Sequence, residues 1–185
     1  MLESAPSFPD LSRMSLAEIA QAAAERRLPP VERWNPAHCG DSAMRIARDG
    51  TWYHEGSPIG RPAMVRLFAS ILRREEDGRF VLVTPIEKLD IAVEAAPFLA
   101  VEMKSEGEGP QRRLAFRLNT DEPVVAGPGH RLRVETGQPL LGVRDGLDAL
   151  IARPVYYELA ELALAEAGNP PGLWSDGIYF PLEAA

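Results

Sequence analysis

The chain has 185 residues, 45% of them hydrophobic, with a formal net charge of −7 and an isoelectric point near 5.1. That is enough apolar material for one sizeable core or two small domains, and the acidic balance argues against sequence-independent binding to nucleic acid polymers or to anionic lipid, both of which need a basic face. No apolar run reaches the length of a membrane span, no basic stretch followed by an apolar one opens the chain, and Cys39 is the lone cysteine, so a cytoplasmic, reducing setting without an intrachain disulfide is expected. All but two of the 20 basic residues, Lys88 and Lys104, are arginine, a bias that reflects genome composition more than chemistry.

The segment to Ser12 is expected to be mobile. Ser15 with Glu18 three residues on forms a capping box, and Leu16, Ile19, Ala20, Ala23 and Ala24 fall at helical spacing until Pro29-Pro30 stops the helix. Pro29 to Asp41, with three prolines, is expected to lack regular structure. It gathers Trp34, Asn35, His38 and Cys39, the kinds of side chain that a loop on a rigid scaffold presents to ligands. No metal-ligand spacing joins His38, Cys39, Asp41 and His54, and Cys39 is expected to be a small buried hydrophobe.

Ala43 to Arg48 and Thr51 to His54 flank Asp49-Gly50, a hairpin signal. Pro62 suits the first position of a helix whose apolar stripe is Met64, Leu67, Phe68, Ile71 and Leu72. Phe80 to Val83 then reads as a buried strand closed by Thr84-Pro85. Lys88 to Glu135 is β-rich: Leu89, Ile91 and Val93 alternate with charged or small residues. Phe98 to Met103 and Leu114 to Leu118 flank a glycine-rich turn, and Val124-Val125 and Leu132 to Val134 flank Gly127-Pro128-Gly129. Leu140 to Val143 is a further strand, Pro154 to Ala167 a second long helix, and Trp174 to Leu182 a closing strand.

One set of parts occurs twice. Arg48-Asp49-Gly50, Ile59-Gly60-Arg61-Pro62, a helix and Asp77-Gly78 are answered by Arg144-Asp145-Gly146, Ile151-Ala152-Arg153-Pro154, a helix and Asp176-Gly177, with a shorter connection before the second helix. Two copies are too few for a solenoid. The reading is an α+β protein with a duplicated strand-helix-strand core, divided near Thr84-Pro85 into 1–85, a helix plus a small α+β unit, and 86–185, an antiparallel β-rich unit with a closing helix and strand. The order of that second unit is that of a pleckstrin-homology-like half barrel.

The stretches PPVERWNP, CGD, MRIARDGTWYHEGSPIGRPAMVRLFASIL, LVTPIEK and RDGLDALIARPVYYEL resemble the bacterial family called domain of unknown function 1285, from about Pro29 onward. The resemblance implies a duplicated core, a C-terminal half similar to pleckstrin-homology folds, and a ligand site at the domain interface, nucleotide-based and linked to signalling. It implies no activity.

The residues themselves point to the repeated Arg-Pro. Proline at the first helical position puts Arg61 and Arg153 at the cap, where a cation opposes the helix dipole by about 0.3–1 kcal/mol. Either each guanidinium bridges to a carboxylate such as Asp49, Asp145, Glu87 or Asp90, or it joins the free helix amides in holding an anion. The candidate ligand-binding set is Trp34, Asn35, His38, Arg61, Thr84, Glu87, Arg144 and Arg153. The ligand expected is a nucleotide-like, phosphate-bearing small molecule. A protein-interaction adaptor without a small ligand is the alternative. No catalytic motif, metal set or cofactor fingerprint is present, so an enzyme is the less expected outcome.

Overall fold

The computed structural model describes residues 13–183, and the segment to Ser12 lies outside them. Helix α1 (Leu16–Glu25) starts as the capping box requires, with the Ser15 hydroxyl accepting from the Glu18 amide and the Glu18 carboxylate from the Ser15 amide. A single 3₁₀ turn (Val31–Arg33) leads into β1 (His38–Ile46), β2 (Trp52–His54) and β3 (Ser57–Pro58). Then come α2 (Pro62–Ser70), β4 (Leu72–Arg74), β5 (Phe80–Val83) and β6 (Glu87–Val93). These strands form one six-stranded sheet, ordered β3-β2-β1-β6-β5-β4, in which β1 and β6 run parallel.

The second half opens with β7 (Phe98–Glu106), β8 (Arg113–Leu118), β9 (Pro123–Val125), β10 (Leu132–Glu135), β11 (Gln138–Arg144) and β12 (Leu147–Ile151). Their order is β10-β11-β12-β7-β8-β9, with β12 parallel to β7. Helix α3 (Arg153–Glu166) follows, and β13 (Gly172–Ser175) with β14 (Ile178–Pro181) forms a separate hairpin.

Several expectations need correction. The second sheet is mixed and not wholly antiparallel, because β12 returns beside the strand that opens the domain. The closing strand is a hairpin about Asp176-Gly177. His38 to Asp41 is strand, paired with Glu87 to Asp90, so the proline-rich loop ends at Ala37. Leu72 belongs to β4 and not to the helical stripe, since α2 stops at Ser70. Cys39 is exposed. The residues beyond Pro85 remain in the first sheet as far as Val93.

The repeat holds as hairpin, helix, hairpin. Asp49-Gly50 turns β1 into β2, Asp145-Gly146 turns β11 into β12, and the Asp-Gly pairs at 77 and 176 turn β4 into β5 and β13 into β14. The copies differ in how the sheet closes, since in the first the parallel partner β6 follows the unit, whereas in the second β7 precedes it.

One core joins both halves. Ile46, Trp52, Ala69 and Leu72 of the first sheet and α2 belong to the same buried cluster as Phe98, Phe116, Leu141, Val155 and Phe180. Burial of this kind resists sliding of one domain on the other. Helix α1 forms a smaller cluster of its own, laying Leu16 and Ile19 on Ala115. This explains the three consecutive buried residues Leu114, Ala115 and Phe116: successive side chains of a strand face opposite sides, and α1 covers the side away from the main core. The helix that precedes the first domain in sequence thus packs on the second. No helix among the described residues is long and apolar enough to cross a membrane.

Candidate functional site

The interface between the domains is fastened by polar contacts around the turn from β8 to β9. Asn119 Nδ2 donates to the Gly50 carbonyl at 3.1 Å, and its Oδ1 accepts from the Leu99 amide at 3.0 Å. Asp121 takes Arg66 of α2 at 3.3 Å. Glu122, only 7% exposed, accepts from Arg144 Nη1 at 2.8 and 2.9 Å and from Arg26 Nη1 at 3.0 Å. The other end of the Arg144 guanidinium donates to the Ala69 carbonyl at 2.8 Å, and its carbon stands 5.0 Å from the Phe98 ring centre. A cation at that carbonyl also suits the negative end of the α2 dipole. Burial lowers the pKa of Arg26, Glu122 raises it and Arg144 lowers it again, as two guanidiniums on one carboxylate must.

Both glycines of the repeated Arg-Asp-Gly lie against this seam. Gly50 has φ +85°, and a Cβ there would stand 2.7 Å from Asn119 Nδ2, while Gly146 has φ +72° and would bring a Cβ to 3.2 Å from Arg74 Cδ. The left-handed conformation and the close approach both call for glycine.

Beside the seam opens a cleft of about 760 Å³, within the range of small-molecule sites. The first domain contributes Arg48 and Asp49 from the hairpin turn. The second contributes Leu99, the turn Gly137–Pro139, the end of β12, and Arg153, Tyr156 and Tyr157 from the start of α3. Arg48 and Arg153 are both exposed, and neither guanidinium has an ion-pair partner among the described residues. Asp49 accepts from the Thr51 amide at 3.0 Å, and that bond holds its pKa below the usual carboxylate range. Tyr157 is 59% exposed. The Arg153–Tyr157 end of the cleft coincides with the first turn of α3, where Pro154 has no amide, the Tyr156 amide donates to the Ala152 carbonyl at 2.9 Å and the Ala152 amide to the Ala100 carbonyl at 3.0 Å, which leaves the amides of Arg153 and Val155. A smaller hollow of about 380 Å³ between β7 and α3 carries Glu158 and Glu161 and no cation.

Of the eight residues proposed from sequence, Arg153 alone lines this cleft. Trp34, Asn35, His38, Thr84 and Glu87 fall on the first domain. The Trp34 carbonyl accepts from Arg73 at 2.7 Å, His38 and Glu87 are neighbours on β1 and β6, and the Thr84 hydroxyl receives the Glu87 amide at 3.2 Å to close a turn. Arg144 is committed to Glu122 and Ala69. Arg61 caps α2 and is exposed, without a partner among the described residues. Arg153 stands one place further in, because Ala152 is the N-cap of α3. The bridges envisaged from Arg61 and Arg153 to carboxylates are not formed: Asp90 takes Arg79 at 2.9 Å, and Asp49 takes a backbone amide. Arg48, Tyr156 and Tyr157 line the cleft but stand outside the set expected from sequence. Arg48 had a signal, since it is the repeat counterpart of Arg144.

Comparison with known proteins gives two family matches in tandem: the N-terminal domain of DUF1285, a domain of unknown function, over residues 29–96, and the C-terminal domain of the DUF1285 proteins of unknown function over 97–182. The crystal structure of a DUF1285 family protein from Silicibacter pomeroyi DSS-3 is 46% identical, with a TM-score of 0.77 and coverage of 90% of this chain and 95% of that one. A second, from Shewanella baltica OS155, is 23% identical over 69% of this chain and 98% of that one, with a TM-score of 0.54, a likeness of fold. No curated protein matches the chain. Helix α1 lies before the first matched residue.

Proposed function

The chain belongs to the DUF1285 family, and from that premise we propose that it is a ligand-binding module whose interdomain cleft takes a small phosphate-bearing, nucleotide-like molecule. The observation that supports this reading is the pair Arg48 and Arg153. Two guanidiniums without an ion-pair partner among the described residues, one from each domain, line one cleft of ligand size at the start of α3. Two arginines that line one concavity beside a helix N-terminus make a binding field for an anion. Tyr157 offers an aromatic face to a ring. Because the lining comes from both domains, occupancy alters the balance of contacts across the seam, which is what a sensory role in signalling requires.

The test is calorimetric titration of the intact chain with pyrophosphate and a set of nucleotides, repeated on Arg153→Lys, Arg153→Ala and Arg48→Ala. The reading expects binding that weakens about tenfold or more with alanine and less with lysine, which keeps the charge but loses the planar fork. Equal affinity in all four proteins, or no binding by any, overturns it. In the second case the adaptor reading gains, for which the exposed Leu67 of α2 and Leu164 of α3, at 62% and 73%, are the surfaces to examine.

A further inference from the structure

Helix α1 packs on β8 and β9 of the second sheet, although its own linker leads into the first. The linker is fastened to the first domain at Val31 and Trp34, whose carbonyls both accept from Arg73 Nη1, at 2.8 and 2.7 Å. Beyond that anchor toward the N-terminus, α1 lies on the second domain. It is held by Leu16 and Ile19 on Ala115, by Glu106 accepting from the Leu16 amide at 3.3 Å, and by Arg26 on Glu122. Only Arg27 to Pro30 separates the two attachments. Helix and linker together therefore strap the two domains, and the half-buried Arg26 at the end of the helix falls on the residue that also holds Arg144.

From Glu122 the contacts run on without a gap. Asn119, three residues earlier in the same turn, holds the Gly50 carbonyl and the Leu99 amide, and Leu99 lines the cleft beside Arg48 and Asp49, which immediately precede Gly50. The Leu118 amide donates to the Glu122 carbonyl at 2.8 Å and the Asp121 amide to the Leu118 carbonyl at 2.9 Å, which ties the two ends of the turn together. Asp121 has φ +63°, a conformation that persists where its surroundings enforce it.

We infer that α1 is a regulatory strap: its docking through Arg26 and Glu122 sets the position of the turn from β8 to β9, and through Asn119 the wall of the cleft formed by Arg48 to Gly50. With α1 seated, Glu122 answers two guanidiniums and the turn is held from both sides. With α1 released, Glu122 keeps Arg144 alone, the outer face of β8 at Ala115 is bared, and the hairpin of the first domain loses its support from Asn119. The regulatory consequence for ligand rests on the cleft being the binding site, whereas the mechanical coupling does not. Linkage makes the effect reciprocal, so a ligand that favours the held cleft also favours the seated strap.

Hydrogen exchange read by mass spectrometry on the intact chain tests the coupling without any ligand. The variants are Arg26→Gln and the pair Leu16→Ala with Ile19→Ala, and the control is Arg33→Ala, whose side chain is 81% exposed. The hairpin amides are well placed to report, since Ala47 donates to Thr51 at 2.9 Å and Gly50 to Ala47 at 3.0 Å. Exchange in 47–52 and 119–122 at least fivefold faster than in the control, with β13 and β14 unchanged, is the expected result. Acceleration confined to α1 and to 114–116 overturns the inference, as does a variant with an unseated helix and an unaltered hairpin. Should the paired alanine variant unfold altogether, Arg26→Gln decides, because it leaves the apolar contact in place. Pyrophosphate affinity is then measured on the same proteins. If pyrophosphate fails to bind even the parent chain, the proposed ligand reading falls while the exchange data still judge the strap. If it binds parent and variants alike, the strap is mechanical only and its regulatory role is refuted.

Discussion

Replacing Arg144 by alanine asks what the seam between the domains is worth. The side chain is 21% exposed and its partner Glu122 9%. The change removes two contacts to the carboxylate and the donor that answers the Ala69 carbonyl at the end of α2. Stripping one partner from a buried ion pair costs about 3–5 kcal/mol, mostly because the other charge is left behind. Arg26 stays on Glu122 at 3.0 Å and solvent reaches part of the site, so the expected loss lies at the lower end, about 3 kcal/mol. For a chain of this size that is a fall of roughly 6–12 °C in melting temperature. Urea denaturation followed by tryptophan fluorescence and by circular dichroism measures it, with coincident transitions because the two sheets share one core. Because Arg26 also pairs with Glu122 at 3.0 Å, the triple change Arg26→Met, Arg144→Met and Glu122→Leu removes the carboxylate with both of its guanidiniums and should recover at least half of the loss. A loss below about 1 kcal/mol for Arg144→Ala, or a triple variant no better than the single one, refutes the assignment of Arg144 as a strut of the seam.

Other outcomes follow from the same geometry. Gly50→Ala meets both an unfavourable backbone conformation and Asn119 Nδ2 at 2.7 Å, and should cost about 1–3 kcal/mol in a urea titration. Gly56→Ala, at φ +81° with open space around it, pays the conformational term alone and should cost visibly less. Cys39→Ser should leave the melt unchanged within about 0.5 kcal/mol, and Ellman's reagent should titrate the thiol in the folded chain, since Cys39 is exposed. Lowering the pH should release α1 before the sheets unfold. Bonds from the Ser15 amide and hydroxyl depress the pKa of Glu18, so its stabilising contribution is complete above the ordinary carboxylate pKa and disappears as pH falls through the depressed value. Exchange rates across 15–25 measured down that series should rise while those of β7 and β8 hold.

Local chemistry was legible in the sequence where it sufficed to determine structure. The capping box at Ser15 and Glu18 and the duplicated Asp-Gly turns needed only neighbours in the chain, and they stand where the pattern placed them. Leu147 to Ile151, a mere connection by local pattern, is β12, because its alternation of buried and half-buried residues acquires meaning only beside β7. The parallel pairings of β1 with β6 and β12 with β7 were beyond local reading for the same reason. At the site the repeat misled: the two Arg-Asp-Gly copies suggest equal roles, but Arg144 turns into the seam while Arg48 faces the cleft. Nor could spacing reveal a cleft assembled from Asp49, Leu99, Pro139 and Arg153, which the fold alone brings together.

The crossing of α1 onto the second sheet also has a consequence for synthesis. Leu16 and the Glu106 that receives its amide are 90 residues apart in the chain. At roughly 5–20 residues per second, a translating ribosome delivers the dock about 5–20 s after the helix. During that interval Leu16 and Ile19 have nothing to cover them, a window in which another nascent copy, or a chaperone that recognises apolar helices, meets the same two side chains.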